Sequence, residues 1–185
     1  MEQLRVVTRI ISGKARIARA LFSVAIALFL SGGLVQPGRT ASSVPEKVEL
    51  GPSESDASEF TPFGGDLYFA AQDSAHGKEL WRYDPAGDTF AQLTDIYSGT
   101  ASSDPYGFVG LNGSLYFTAE DGDHGRELWQ YDPGAVTATL VSDIHPFGSA
   151  FPAHVSGAAL VVCDDDLYFG ADDSSHGKEL WRYDP

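Results

Sequence analysis

One nineteen-residue phrase occurs three times, and any fold of this chain must accommodate it three times. It reads "LYFAAQDSAHGKELWRYDP" at 67–85, "LYFTAEDGDHGRELWQYDP" at 115–133 and "LYFGADDSSHGKELWRYDP" at 167–185. The first and third copies differ only at Ala70/Gly170, Gln72/Asp172 and Ala75/Ser175. Leu67, Leu115 and Leu167 stand 48 and 52 residues apart. Self-similarity at such a period marks stacked supersecondary units, none of which buries its apolar face alone. The likeness extends to "QLTDIYSG" (92–99) and "LVSDIHPFG" (140–148), where Asp95-Ile96 and Asp143-Ile144 keep the 48-residue spacing. The four extra residues of the second interval fall in "HPFGSAFPAHVSGAA" (145–159), which has loop composition.

Each unit reads as four short strands. "YGFVGLNGSLYFTAED" (106–121) is two β-rich runs joined at Asn112-Gly113, a strong hairpin signal. Gly64-Gly65 and Asp164-Asp165 take the same place in the other copies. "ELWQYD" (127–132) is a third strand closed by Pro133, and the β-branched "VTATLVSDI" (136–144) a fourth. The third unit supplies strands at 159–164, 167–171 and 179–184 and lacks the fourth. Alternation puts Leu128 on one face and Trp129 and Tyr131 on the other, and likewise sets Leu115 and Phe117 against Tyr116. A sheet wetted on one side would show a polar face instead. The expected fold is therefore all-β, with four-stranded blades buried on both sides as in a β-propeller. A β-sandwich of the same hairpins is the second reading.

Those residues carry a resemblance. "ELWRYDPAGDTF" (79–90) resembles the third-to-fourth strand segment of kelch propeller blades, and Gly64-Gly65 is similar to the kelch double glycine in the first copy alone. The chain more closely resembles the ELW-x-x-DGT repeat family of secreted bacterial proteins. All three copies share its "LYF", "HG" and "ELW" elements, and the first two share the downstream "DI". After the Trp, "RYDP" and "QYDP" replace the family's Asp-Gly-Thr. The resemblance covers about residues 60–185. It implies kelch-like propeller repeats and export, and no particular chemistry.

The N-terminal segment fits export. Arg5, Arg9, Lys14, Arg16 and Arg19 face one acid, Glu2, and precede the uncharged run "ALFSVAIALFLSGG" from Ala20. That run is shorter than the roughly 20 residues of a bilayer span, so it reads as a bacterial secretory signal. The expected organisation is a signal peptide and leader over 1–41, a linker over 42–59 and repeats over 60–185. The blades are expected at about 60–97, 105–145 and 158–185, the last incomplete. Within the linker, "EKVEL" (46–50) alternates Val48 and Leu50 as a closing strand would. A ring of blades is then finished by a longer chain, the favoured reading, or by a second copy in a homo-oligomer.

The full chain carries 12 Lys and Arg against 26 Asp and Glu. Residues 1–41 hold six of the basic residues and one acid, leaving six against 25, or −19. Such a chain repels nucleic acid and anionic lipid, so neither is an expected partner and no membrane contact is expected beyond the signal segment.

Several repeated polar residues invite chemistry. His76-Gly77, His124-Gly125 and His176-Gly177 are expected to be structural, each His bonding within its turn and each Gly supplying a special backbone angle. Asp73, Asp121, Asp123, Asp172 and Asp173 are candidate oxygen ligands for Ca²⁺. Against that stands their use in turns stabilised by side chain to backbone bonds. Gly125 falls one position too early for an EF-hand loop. Trp81, Trp129 and Trp181 are expected in the packing between blades rather than stacked on sugars. Glu79, Glu127 and Glu179 are expected to pair with the adjacent Lys78, Arg126 and Lys178. Cys163 aligns with Phe63 and Leu111 and is expected to be a buried small hydrophobe. The unrepeated His145 and His154 lie where the insertion breaks the repeat.

No nucleophile elbow, zinc-protease motif or phosphate loop is present, and no cofactor is expected apart from Ca²⁺. The expected function is a secreted or cell-surface, non-catalytic propeller that binds protein or glycan through its loops. Two other readings are a carbohydrate-active propeller enzyme and a calcium-stabilised adhesive or structural array.

Overall fold

In a computed structural model, which describes Pro45, Lys47, 54–151 and 160–185, the three phrases lie in three antiparallel sheets. The first runs β1 (Ser58–Phe63), β2 (Asp66–Ala71), β3 (Glu79–Asp84) and β4 (Thr89–Gln92). The second runs β5 (Tyr106–Leu111), β6 (Ser114–Glu120), β7 (Arg126–Asp132) and β8 (Thr137–Ser142). The third holds β9 (Val161–Cys163), β10 (Asp166–Asp172) and β11 (Lys178–Tyr183). Strands pair in chain order, and no described residue is helical. The signal segment, the strand expected at 46–50 (Lys47 excepted) and His154 lie outside the described residues. All three sheets belong to the unit Lys47–Pro185.

The turns answer to the chemistry of their residues. Gly64 and Gly65, Asn112 and Gly113, and Asp164 and Asp165 all have positive φ, the mark of a two-residue type I′ hairpin. Asn-Gly suits both positions, whereas Asp165 carries a Cβ at φ 66°. Asp165→Gly is therefore expected to stabilise the chain by about 1 kcal/mol, read as a higher urea midpoint at unchanged slope. Strand β5 has an irregular register between Tyr106 and Val109, and β1 has one between Ser58 and Thr61. Both hold a residue at positive φ there, Glu59 in β1 and Gly107 in β5, as β-bulges do.

The strand faces separate as the alternation predicts. Leu115, Phe117, Ala119 and Tyr131 pack with Tyr68 and Leu80 of the first sheet, and Trp129 and Phe63 lie against them. Tyr116, Leu128 and Leu111 turn the other way, onto Leu167, Phe169, Ala171 and Phe151 of the third unit. The ring pair Tyr68–Tyr131 at 6.0 Å recurs as Tyr116–Tyr183 at 5.8 Å. Sheet-to-sheet packing therefore repeats with the sequence, and the second sheet is buried on both sides.

The expected strand at 136–144 stops earlier, at Ser142. The Ile144 N–H leaves the ladder and donates to the Glu127 carboxylate instead.

Candidate functional site

The sequential order of antiparallel strands sends the β2–β3, β6–β7 and β10–β11 turns to one end of the sheets. The connections that leave β4 and β8 for the next sheet start at that same end. Each turn is built around an Asp. Asp73 Oδ1 accepts the N–H of Ala75 and His76, at 2.8 and 2.7 Å. Asp121 Oδ1 accepts those of Asp123 and His124, and Asp173 Oδ1 those of Ser175 and His176. Each carboxylate also meets the Nδ1 of its histidine, at 3.1, 2.7 and 2.8 Å in turn. The repeated Asp thus closes its own turn and orients the imidazole, whose outer edge faces solvent.

These bonds shift the titrations. His124 and His176 are raised above their ordinary value by the hydrogen bond and charge of the facing carboxylate. Asp173 is held well below the carboxylate range by its histidine and by two backbone N–H groups. At Asp121 burial pushes upward, but the N–H and imidazole bonds outweigh it and the net shift is down. An imidazole raised on folding adds stability that is complete below 6.5 and lost as pH rises through the folded value. A carboxylate lowered on folding adds stability that is complete above 3.8 and lost on acidification. The Asp121–His124 turn is thus tightest between those limits. Asp121→Asn is expected to bring His124 back toward 6.5 in an NMR titration.

The turn glycines serve different ends. Gly125 and Gly177 have positive φ, as expected of them. Gly77 does not; the backbone of Ala101 sits where its Cβ would be.

Among the described residues, no three His, Cys, Asp or Glu side chains are placed together to hold a metal ion. Asp123 and Asp172 do not join the neighbouring Asp carboxylates in such a group. Asp172 Oδ1 accepts the Ser174 N–H. Trp81 is buried, and Trp129 and Trp181 are half-buried against neighbouring apolar residues. The Trp181 indole donates to the Ala171 carbonyl.

Two further expectations are overturned. Glu79 and Glu127 do not pair with the adjacent Lys78 and Arg126, because neighbouring residues on a strand point to opposite faces. Lys78 reaches Asp56, and Arg126 is buried and donates to the Asp104 carbonyl at 2.8 Å. The glutamates are fully buried and bind the connection to the next sheet. Glu79 accepts the N–H of Ile96, Tyr97 and Ser103 and the Thr94 hydroxyl. Glu127 accepts the N–H of Ile144, His145 and Ala150. Burial pushes the Glu127 carboxyl up, and those N–H bonds pull part of the way back.

The second correction is Cys163, which is exposed. Its counterpart Leu111 is buried against the third sheet, whereas no described sheet follows Cys163.

The interrupted repeat supplies the remaining features of this end. His145 gives its N–H to Glu127, and its imidazole lies against Gly148. Phe147, two residues on, is 89% exposed. In the equivalent connection, Tyr97 lies over Gly122 of the next histidine turn. Compared with family models and with curated proteins, the chain matches none.

Proposed function

We propose that this chain is an exported, non-catalytic repeat protein of propeller type that binds a protein or glycan through the loops at its histidine end. The observation that carries the binding reading is Phe147. An exposed ring whose neighbour Gly148 lies against Gly125 of the second Asp–His turn suits stacking on a sugar face or insertion into a partner's pocket. The repeated carboxylates, by contrast, are occupied in holding turns and connections.

Two features speak for propeller blades over a sandwich. The first strands of consecutive sheets adjoin, β1 beside β5 and β5 beside β9, as they do when sheets radiate from a common axis. Consecutive sheets also meet face to face through the same residue positions. The resemblance to the ELW-x-x-DGT repeats and the basic-then-apolar leader speak for export.

The test is a glycan array and a surface-protein panel probed with the chain and with Phe147→Ala. Binding by the first and its loss in the second are expected. Hydrolysis of a polysaccharide on the panel would overturn the non-catalytic reading. Recovery of the protein only from inside the cell, with its 19.8 kDa mass intact, would overturn export.

A further inference from the structure

The second Asp–His turn is touched by both connections, the one that leaves β4 and the one that leaves β8. From the first, the Tyr97 ring lies over Gly122. From the second, the Gly148 carbonyl and the Ser149 hydroxyl lie against Gly125. That hydroxyl also accepts the Arg126 N–H at 2.9 Å. Between the two contacts sits His124, its Nδ1 bonded to Asp121 at 2.7 Å. Phe147 directly precedes Gly148, so whatever holds Gly148 on this turn also holds the exposed ring.

The charges around His124 come from more than its own turn. Asp121 and Asp123 belong to the turn; Asp143 opens the second connection, one residue past β8. The imidazole is raised first by its bond to Asp121 and that carboxylate's charge, and then by the charges of Asp143 and Asp123. Glu127 lies buried beneath the same connection, and Tyr97 is the titratable group of the first connection. Asp143 is placed this way because the second connection is shorter. Asp95, its counterpart, is engaged inside the first connection, where it accepts the Gly99 N–H at 3.2 Å. Asp95 stands seven positions before Ser102, but Asp143 stands six before the equivalent Ser149. In the shorter connection the Gly148 N–H goes to the His145 carbonyl instead. A protonated His124 thus stands among carboxylates of the turn and of the connection. Without that proton the two segments present only like charges to each other.

We propose that His124 is a pH-sensitive clasp: protonated, it holds the connection that bears Phe147 against the second turn, and on losing its proton it loosens that connection. The clasp adds regulation to the Phe147 site and rests on the binding reading above only for that consequence. The sign follows from the direction of the titration. An imidazole raised on folding keeps the clasp complete below 6.5 and loses it as pH rises through the folded value. Glu127 titrates on the acid side of that step, from a carboxyl raised above 4.5 chiefly by burial. Asp121, held below 3.8, keeps its charge throughout.

The experiment is amide hydrogen exchange of the 185-residue chain, read by NMR beside the His124 titration and corrected for the intrinsic effect of pH. The reporters are the N–H groups of Ile144, His145 and Ala150, bonded to Glu127, and of Phe151, bonded to the Arg126 carbonyl. Their exchange is expected to quicken roughly two- to fivefold as pH rises through the His124 titration, the size expected of exposed charge pairs. The step is expected to vanish in His124→Gln, which keeps the backbone N–H on Asp121, and to shrink in Asp143→Asn, where His124 still titrates. His176→Gln is expected to leave it unchanged. Reporters indifferent to the His124 titration, a step that survives His124→Gln, or a full step in Asp143→Asn would each overturn the proposal. No ligand enters the measurement, so failure of the clasp is told apart from failure of Phe147 to bind.

Discussion

Glu127→Ala is expected to destabilise the fold by about 3–5 kcal/mol, because one buried and two part-buried N–H groups lose their acceptor at roughly 1–3 kcal/mol each and water restores only part. Those groups belong to Ile144, His145 and Ala150, which carry the chain from the second sheet to the third. Their release frees Phe151 as well, a fully buried ring that packs on Phe169 at 5.5 Å. Glu79→Ala is expected to cost as much, for the same reason at Ile96, Tyr97 and Ser103. The control is inside the molecule. Glu179 sits in the phrase "HGKELWRYDP", identical to that around Glu79, yet it is exposed. Glu179→Ala is expected to stay within about 0.5 kcal/mol in dilute solution. Urea unfolding of the three variants decides the matter. Equal losses in all three would mean that the glutamate acts within its own strand and not on the connection.

That contrast also shows where sequence reading works on this chain. The opposed faces of "ELWQYD" are legible because side chains alternate by geometry alone: Leu128 and Trp129 do enter different clusters. The Asn112-Gly113 hairpin is legible because only certain residues tolerate two positive φ angles in a row. The Asp–His turns are legible in outline, since an Asp bonding its own backbone is a local event. The role of Glu79 and Glu127 is not local. Apart from the Thr94 hydroxyl, their partners are backbone N–H groups 17 to 24 residues onward, and a backbone donor leaves no mark in the sequence. One signal was there to use. The Glu recurs at a fixed distance before "DI", and the Ile N–H is one of its partners in both copies. The exposure of Cys163 was illegible for another reason. An alignment of units assigns each residue its counterpart's face, but burial depends on which sheet lies against that face.

Leu80, Leu128 and Leu180 carry that last point to its energetic consequence. They are one residue in three copies of one strand, with exposures of 0%, 1% and 77%. Leu80 lies among Tyr68, Leu115 and Phe117, and Leu128 among Tyr116, Phe151 and Leu167. Truncation of either to Ala removes buried methyl groups and leaves a cavity between two sheets, at an expected cost of about 2–5 kcal/mol. Leu180→Ala removes atoms that already face water and is expected to change stability by less than about 0.5 kcal/mol in the dilute chain. Intrinsic strand propensity predicts the opposite pattern, near-equal effects at three equal positions. The experiment therefore separates propensity from packing with the local sequence held constant. If Leu180→Ala proved as costly as Leu80→Ala at concentrations where the chain is a single copy, the repeats would draw their stability from within each sheet. If the cost at Leu180 appeared only as concentration rose, the third sheet would be drawing it from a neighbouring chain, through the same face that Leu80 and Leu128 present to the sheets that follow them.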